Sequence, residues 1–306
     1  YQDLLIEVKQ KTRKTSQIRI AVFLLTVIAI YLSTTINMWV LISSIVIGAT
    51  LFILLVRKHL RLYKLKQWYE ALIKVNSEEI DILKMNRNHE FTGREFIDDD
   101  HPYSSDLDIF GGKSVFGLIN RSSTLSGKKK LARQLSMANK DESSIYLRQQ
   151  AIAELKTKNE WRQQFQATGF LNPEKENELE SLLEWAENKN TGFNNLFYKS
   201  MLIINPIIGL AITVLIGLGI ISMSSFALFL FIPFTLVGLK FSKINKEHGL
   251  MSKKTALLIK YSSLFKLTEQ EEFVSKLIRD IKTEFTKGEH SAHTEINKLS
   301  SIMSSF

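Results

Sequence analysis

Two long uncharged stretches dominate the pattern of hydrophobic and polar positions along this chain. No charged side chain occurs in the 37 residues between Arg19 and Arg57 or in the 40 residues between Lys199 and Lys240. A helix crosses a hydrocarbon core of roughly 30 Å with about 20 residues, so each stretch is too long for one span. The pattern therefore predicts two helical hairpins and four transmembrane helices.

Polar breaks divide each stretch into two apolar segments. The breaks and the segments beside them are residues 33–37 between 20–32 and 39–56, and residues 222–225 between 201–221 and 226–239. The last segment is short and contains Pro233. A short span with an internal proline is predicted to tilt, to kink or to thin the bilayer locally.

The rest of the chain carries apolar residues at helical spacing, and no run of residues predicts a β-strand. The predicted helices are 60–85, 114–120, one capped by Ser126 and ending near 135, one starting at Asp141 or Ser143, and one around 179–185. The expected fold class is all-α.

Lysine and arginine flank both predicted hairpins, whereas neither turn carries a charge. Positive charge beside membrane segments stays in the cytoplasm, so both termini and all soluble segments are predicted to be cytoplasmic. The expected location is the inner (cytoplasmic) membrane, as a multi-pass protein with the lipid bilayer as its main partner. This arrangement explains most of the net charge of +9 without nucleic acid.

Candidate chemical sites are few. The chain has no cysteine, which excludes disulfides and thiolate metal sites. Residues 111–114 read GGKS, the end of a phosphate-binding loop, but the first glycine of such a loop would fall on Leu107. His290 and His293 beside Glu289 favour a solvated helix face over a metal site. No catalytic, cofactor-binding or metal residue is predicted, and the acidic run 98–100 before His101 favours a turn.

An ordered series of short motifs lies between residues 107 and 155. They are Leu-Asp-Ile-Phe (107–110), Ser-Val-Phe (114–116), Asn-Arg-Ser-x-Thr (120–124), Gly-Lys-x-x-Leu (127–131) and Arg-Gln-x-Ala-Ile-x-x-Leu (148–155). The series resembles the core, or lever, domain of the MutS family of DNA mismatch-repair ATPases. The resemblance covers roughly residues 95–190.

The resemblance suggests a compact helical knot between the two hairpins. Its expected interior consists of Phe110, Phe116, Leu118, Leu131 and Leu135. Arg121 is expected to bond to helix carbonyls or to an acidic neighbour. The predicted organisation is 1–66 as the first hairpin with basic flanks, 67–198 as the cytoplasmic lever-like domain, 199–241 as the second hairpin, and 242–306 as the returning segment.

The family resemblance also implies parts that lie outside this chain. The family's ATPase domain would follow Phe306, and it would bring ATP and Mg²⁺, which this chain itself is not expected to bind. The family analogy implies a homodimer in which nucleotide cycles move the lever. By the same resemblance, no mismatch-reading domain is expected before residue 95, and the second hairpin is expected to take the place of the DNA clamp.

DNA is therefore a weaker candidate partner than the bilayer. The compact basic patch of the lever consists of Lys128, Lys129, Lys130 and Arg133, and a solvated helix face is favoured over DNA contact.

Two alternative functions remain open. A membrane-embedded helical scaffold without a nucleic-acid role is favoured by the small-residue face of Gly209, Thr213 and Gly217. A transporter is weaker because the predicted spans contain no ionisable residue.

Overall fold

The computed structural model describes residues 1–33, 35–84, 92–137, 140–187, 196–287 and 291–304, and every regular element in these ranges is helical. This confirms the predicted all-α class for the described residues. The α-helices are α1 (Gln2–Ser33), α2 (Met38–Leu83), α3 (Val115–Ile119), α4 (Leu125–Ser136), α5 (Glu142–Thr157), α6 (Asn159–Leu171), α7 (Glu178–Glu187), α8 (Leu196–Gly217), α9 (Met223–Gln270), α10 (Lys276–Glu284) and α11 (Ala292–Ser304). A short 3₁₀ helix covers Arg94–Phe96.

The first hairpin consists of α1 and α2, and its turn lies where the polar break predicts it. Asn37 begins α2 as its N-cap, and its side-chain oxygen accepts a hydrogen bond from the amide of Trp39 at 3.2 Å. Both helices are long and apolar enough to cross a membrane, as judged by length and composition. Large apolar side chains such as Leu25, Ile28 and Ile47 point outward from the pair.

The two helices of this hairpin pack closely at Gly48. The residue is buried, and a Cβ atom added to it would overlap the Thr26 side chain on α1. Phe23 and Phe52 pack beside this point with ring centroids 6.2 Å apart. A small residue at position 48 is therefore required for the observed helix separation.

We expect Gly48→Val to push α1 and α2 apart, because the added side chain has no space against Thr26. Overpacking of this kind costs about 1–3 kcal/mol. Since the chain has no cysteine, spin labels at Ile28→Cys and Ile45→Cys would measure the separation directly. Both positions are exposed.

The neighbouring substitution Ala49→Val is the matched control for this measurement. Ala49 is exposed, so its side chain has room to grow without touching α1. The label distance should rise in the Gly48 variant and stay constant in the Ala49 variant. An equal distance in both variants would show that the close approach at Gly48 does not set the helix separation.

Helix α2 continues past its apolar segment without a break. Its 46 residues correspond to a rod of about 69 Å. The second half carries a buried stripe of Ala71, Leu72 and Val75, which packs with Ala167 of α6. The same helix therefore contains both a membrane-type segment and part of a soluble-type core.

The segment that carries the ordered series of motifs folds around an aromatic cluster. Phe96, Phe110 and Phe116 have ring centroids 5.6–5.8 Å apart, and Phe116 is 1 % exposed. Phe116 is thus confirmed as an interior residue. Leu118 was expected beside it but is 44 % exposed. That expectation was wrong because α3 is a single short helix, which turns residue 118 away from the aromatic cluster.

The remaining members of the expected interior are partly buried. Phe110, Leu131 and Leu135 are each intermediate in exposure. Ile109 was named as a motif residue and not as part of the expected interior. Its side chain is nevertheless buried, at 7 % exposure. The loop before α3 brings it inward, because the amide of Phe116 donates to the Ile109 carbonyl at 2.9 Å.

Side-chain caps define where the short helices begin. Ser114 caps α3, which the sequence predicts to start at this residue, and Asp141, one of the two predicted starts, caps α5. The cap of α4 is Thr124, whose hydroxyl accepts from the Gly127 amide at 3.1 Å, so the predicted Ser126 cap was wrong. Both hydroxyl residues suit an N-cap, and only the backbone geometry distinguishes them.

The chain divides into two compact units. The first contains residues 1–173 and 262–293, and the second contains residues 174–261 and 294–306. The core of the second unit consists of Leu182, Leu257, Leu258 and Met303.

A buried ion pair lies in this second unit. The side chains of Lys260 and Glu174 are 0 % and 2 % exposed, with Nζ and Oε2 3.7 Å apart. Burial lowers the pKa of the Lys260 ammonium, and the Glu174 carboxylate opposes that shift. The Tyr261 hydroxyl also donates to Glu174, so the carboxylate is held by two neighbours.

The second apolar stretch forms α8 and the first part of α9. Its turn occupies residues 218–222, with Gly219 at φ 72°, and lies before the predicted turn at 222–225. A Cβ atom on Gly209 would lie 3.2 Å from the ring of Phe229, so α8 and α9 pack closely at this glycine. Within α8, residues 203–216 form a shorter apolar stretch than those of the first hairpin.

Candidate functional site: the junction around helix α6

Helix α6 packs against α2 through one of its faces. Ala167 is fully buried beside Val75. The Gln163 side-chain amide donates to the side-chain oxygen Oδ1 of Asn76 at 3.2 Å. On the same side, the ammonium group of Lys74 lies 4.8 Å from the centroid of the Phe170 ring. These contacts fix α6 to the part of α2 that follows its apolar segment.

The motif segment closes over the same junction. A Cβ atom on Gly169 would overlap the side chain of Ser123, so glycine allows this segment to approach α6 closely. Ser123 precedes α4, and Gly169 lies in the last turns of α6. The motif residues therefore form part of the α2–α6 contact.

Arg121 joins the motif segment to α2 by charge. Its Nε and Nη2 atoms donate to the two carboxylate oxygens of Glu79, with Nη2 3.0 Å from Oε2. Its Nη1 atom donates to the carbonyls of Leu118 and Asn120 at 2.9 and 3.1 Å. The prediction that Arg121 binds helix carbonyls or an acidic neighbour is confirmed, and bidentate geometry makes the pair specific.

The opposite face of α6 binds the last turns of α9. The Trp161 indole N–H donates to the Leu267 carbonyl at 3.1 Å, and its ring stacks on Phe165 with centroids 5.0 Å apart. Phe273 contacts the Trp161 ring edge-to-face at 5.3 Å. Just before α6, Lys158 Nζ lies 2.5 Å from Glu271 Oε1. The indole hydrogen bond thus holds the last turn of α9 on this face, and aromatic packing and an ion pair hold the segment that follows α9.

Glu154 of α5 holds the segment that leads into α10. Its two carboxylate oxygens accept from the amides of Val274 and Ser275 at 2.7 and 2.8 Å. Burial by itself raises the pKa of Glu154, but hydrogen bonds from Ser275 and Val274 and the charge of Lys158 outweigh it. The pKa of this carboxyl is therefore held below its ordinary value of 4.5.

We expect acidification to loosen the contact between α5 and α10. Because the folded-state pKa of Glu154 is lowered, its stabilising contribution is present above the unfolded-state pKa and is lost as pH falls through the folded-state value. Glu154→Gln should remove this part of the pH dependence. The measurement is the thermal midpoint compared between about pH 7 and pH 3.

Glu160→Gln serves as the control for that titration. Glu160 is exposed on α6 and has no ion pair within the described ranges. Its substitution should leave the loss of stability with acid unchanged. If acid lowers the thermal midpoint of both variants by the same amount as that of the wild-type chain, Glu154 does not hold α10 through its charge.

The junction offers no obvious chemistry, and its main feature is a short helix packed between two longer ones. Helix α6 contacts α2 on one face and the last turn of α9 on the other. Packed helices shift as units rather than deform gradually. A movement of α6 would therefore be felt at the parts of α2 and α9 that it contacts.

The predicted basic patch lies on α4. Lys129, Lys130 and Arg133 are exposed, and Lys128 is intermediate in exposure. The structure thus places the four side chains on one short helix, and three of them face solvent. This placement is compatible with the solvated helix face that the sequence favours.

Where they are described, the acidic cluster lies in a turn and the histidine cluster lies at the start of α11. His293 lies in the first turn of α11, and its amide and Nδ1 contact Glu269 at 3.3 and 2.5 Å. Its neighbours His290 and Glu289 lie outside the described residues. His101 accepts from the Ser104 amide at 3.1 Å within a turn, as predicted. No group of three metal-ligating side chains occurs among the described residues.

Sequence reasoning missed α6 as a separate element. The spacing of Trp161, Phe165 and Phe170 in a mainly polar stretch was the available signal for an amphipathic helix. Its partners lie elsewhere in the chain, on α2 and α9, so the sequence did not indicate which faces it joins.

Comparisons of the chain with protein-family models, with curated proteins and with solved structures give no match.

Proposed function

We propose that this chain is the anchor and lever half of a membrane-anchored, MutS-like protein. The first hairpin would lie in the bilayer, and the junction around α6 would act as the lever. The observation that carries the proposal is the double contact of α6, with α2 through Ala167 and with α9 through Trp161. Such a helix would pass a movement of the body to α2 and to the last turn of α9.

Membrane insertion of the first hairpin is supported by its surface. Apolar side chains of α1 and α2 point outward along both apolar segments, and Phe23, Leu25 and Ile47 are 55 %, 64 % and 60 % exposed. A water-soluble protein rarely exposes a continuous apolar surface of this extent. A bilayer covers that surface, and helices satisfy their own backbone groups within it.

The second apolar stretch would add a second hairpin, giving four spans in the proposed protein. Close packing at Gly209 against Phe229 supports a helix pair there, and Pro233 lies inside α9. The distribution of lysine and arginine supports placing the soluble parts on the cytoplasmic side of the inner membrane.

The energy source in this proposal is an ATPase half that follows Phe306. ATP and Mg²⁺ would bind there, and nucleotide cycles in a homodimer would shift the lever against the hairpins. Reading the gene beyond Phe306 tests this part. A phosphate-binding loop of the form G-x-x-x-x-G-K-[ST] is expected, and its absence would remove the ATP-driven mechanism.

The membrane topology is tested by cysteine labelling, because the chain has no cysteine of its own. Thr35→Cys and Ser222→Cys would report on the two turns, and Ser143→Cys would report on α5. In intact cells, a membrane-impermeant thiol reagent should label the two turn positions and spare residue 143. Recovery of the chain in the soluble fraction without detergent would overturn the proposal.

A helical scaffold without ATP-driven movement is the second candidate. It is favoured by exposed apolar side chains on α5, where Ile145, Tyr146 and Ile152 are 39 %, 62 % and 60 % exposed. These residues suit a protein-binding surface outside the predicted spans. Crosslinking in native membranes that captures one constant partner, with or without nucleotide, would favour the scaffold.

DNA is the least supported partner. Salt-dependent binding of duplex DNA by the purified chain, lost in the variant K128Q/K129Q/K130Q/R133Q, would restore it as a partner.

A further inference from the structure

The charged part of the first hairpin contains an outer layer in which cations are paired. Lys9 lies 3.5 Å from Glu70, and Lys66 lies 3.8 Å from the same carboxylate. Lys11 pairs with Glu7 at 2.5 Å. The positive charges of this outer layer are therefore largely balanced within the protein.

A second layer lies between these pairs and the apolar segments, and it differs in charge. None of its cations has an ion pair within the described ranges of the chain. We define this basic collar as Arg13, Lys14, Arg19, Arg57, Lys58, Arg61 and Lys64. Six of the seven side chains are exposed, and Arg19 is intermediate.

The helix register brings the collar residues of α1 and α2 to the same height. The contacts of Thr26 with Gly48 and of Phe23 with Phe52 set an antiparallel register. Continued along the pair, this register places Arg19 level with Arg57. The same register places the other two collar cations of α1, residues 13 and 14, level with about residues 61–62 of α2.

The height of the collar matches the headgroup layer of a bilayer. Arg57 follows directly on the apolar segment that ends at Val56, and Lys64 lies about 10 Å further along the helix. The polar layer on each side of a membrane is about 5–8 Å thick. Long lysine and arginine side chains extend that reach by bending toward the polar layer.

We propose that the basic collar binds the headgroups of anionic phospholipids. Exposed cations without an ion pair at the apolar border of a hairpin attract anions at that depth, and in a bilayer lipid phosphates lie there. The collar is a ring on an exposed surface rather than a pocket, so it suits a layer of headgroups better than a single free phosphate. This inference rests on the proposed membrane insertion of the first hairpin.

Retention of lipid by the full chain tests the proposal. The protein is reconstituted into vesicles of equal parts phosphatidylglycerol and phosphatidylcholine and extracted in mild detergent, and the retained lipids are quantified by mass spectrometry. We expect phosphatidylglycerol to be enriched about fivefold or more, since one cation near an anionic surface already contributes about that factor. Equal retention of the two lipids would overturn the proposal.

Two charge-neutralised variants locate the effect. R57Q/K58Q/R61Q/K64Q removes four of the seven collar cations and should lower the enrichment several-fold. K128Q/K129Q/K130Q/R133Q removes the same number of charges from α4 and should leave the enrichment unchanged. The charge-preserving variant R57K/R61K should also keep the enrichment, and flotation of the neutralised variant with phosphatidylcholine vesicles checks that it still inserts. An enrichment that is unchanged in the α2 variant, or that falls equally in the α4 variant, would contradict the assignment.

Further measurements distinguish lipid from other anions. They also distinguish a failure of the collar proposal from a failure of the membrane proposal. Excess inorganic phosphate should leave the enrichment unchanged, and about 1 M salt should reduce it. Displacement of the lipid by phosphate or by duplex DNA would overturn the choice of a lipid partner. Flotation with pure phosphatidylcholine vesicles reports insertion alone, so failure to float refutes the membrane anchor, whereas flotation without enrichment refutes only the collar.

Discussion

Replacing Phe116 by alanine is expected to destabilise the first unit by about 3–5 kcal/mol, the usual cost of removing a buried aromatic ring. Phe116 is 1 % exposed and contacts Phe96 and Phe110, so its removal leaves a cavity between two rings. Neither ring can fill that cavity without moving the loop that carries it. The measurement is the free energy of unfolding in mild detergent, obtained from a urea titration.

Leu118→Ala is the matched control, since it removes a large apolar side chain from the same short helix. Leu118 is 44 % exposed, and its substitution should cost well under half as much. The backbone propensity of α3 changes similarly in both variants, because each replaces a larger side chain by alanine. A larger loss for Leu118 than for Phe116 would mean that the motif segment has a different interior.

The contrast between these residues shows how far the sequence predicts the interior. Both fit the apolar positions of a short helix, and a helix of five residues is too short for periodicity to separate its faces. The distinction arises from the Phe96 and Phe110 rings, which reach Phe116 through loop geometry. The helix itself was predictable, because Ser114 is a strong capping residue.

The first hairpin was the most predictable part of the fold. Its signals are local and strong, namely a long uncharged stretch, a polar break, and Asn37 before the second apolar segment. The close approach at Gly48 was not predicted, because a single glycine in an apolar helix does not indicate which neighbour it faces.

The candidate site was much less predictable, because its contacts join residues far apart in the sequence. The sequence predicted that Arg121 binds helix carbonyls or an acidic side chain. It did not identify Glu79 as the partner, because Glu79 lies 42 residues earlier in the chain. Trp161 and Leu267 are separated by 106 residues. Local patterns give the faces of α6, and only tertiary packing decides what covers them.

Helices α2 and α9 each contain an apolar segment, and each contacts the short helix α6. Helix α2 keeps its hydrogen bonding from the apolar segment to Leu83, so no flexible joint absorbs a displacement along its length. Helix α9 runs from Met223 to Gln270 and contains Pro233, which lacks the N–H for one helical hydrogen bond. If a lever operates in this protein, α6 is where it would apply force.

The contact most directly tied to that idea is Trp161. We expect Trp161→Ala to cost about 3–5 kcal/mol, because a large ring is lost between Phe165 and Phe273. Its effect should concentrate at the last turns of α9 and at α10, which lose both the ring and the indole hydrogen bond to Leu267. Hydrogen exchange in residues 262–287 should accelerate, whereas exchange in the apolar segments of the first hairpin should stay slow.

Trp161→Phe separates packing from hydrogen bonding at this position. The aromatic ring remains, but the Leu267 carbonyl loses its indole donor, which costs about 0.5–1.5 kcal/mol. Trp39→Ala, which removes a 76 % exposed tryptophan at the start of α2, controls for the general loss of a tryptophan. If exchange in residues 262–287 is as slow in the Trp161→Ala variant as in the Trp39→Ala variant, α6 does not hold the end of α9, and the lever loses its physical basis.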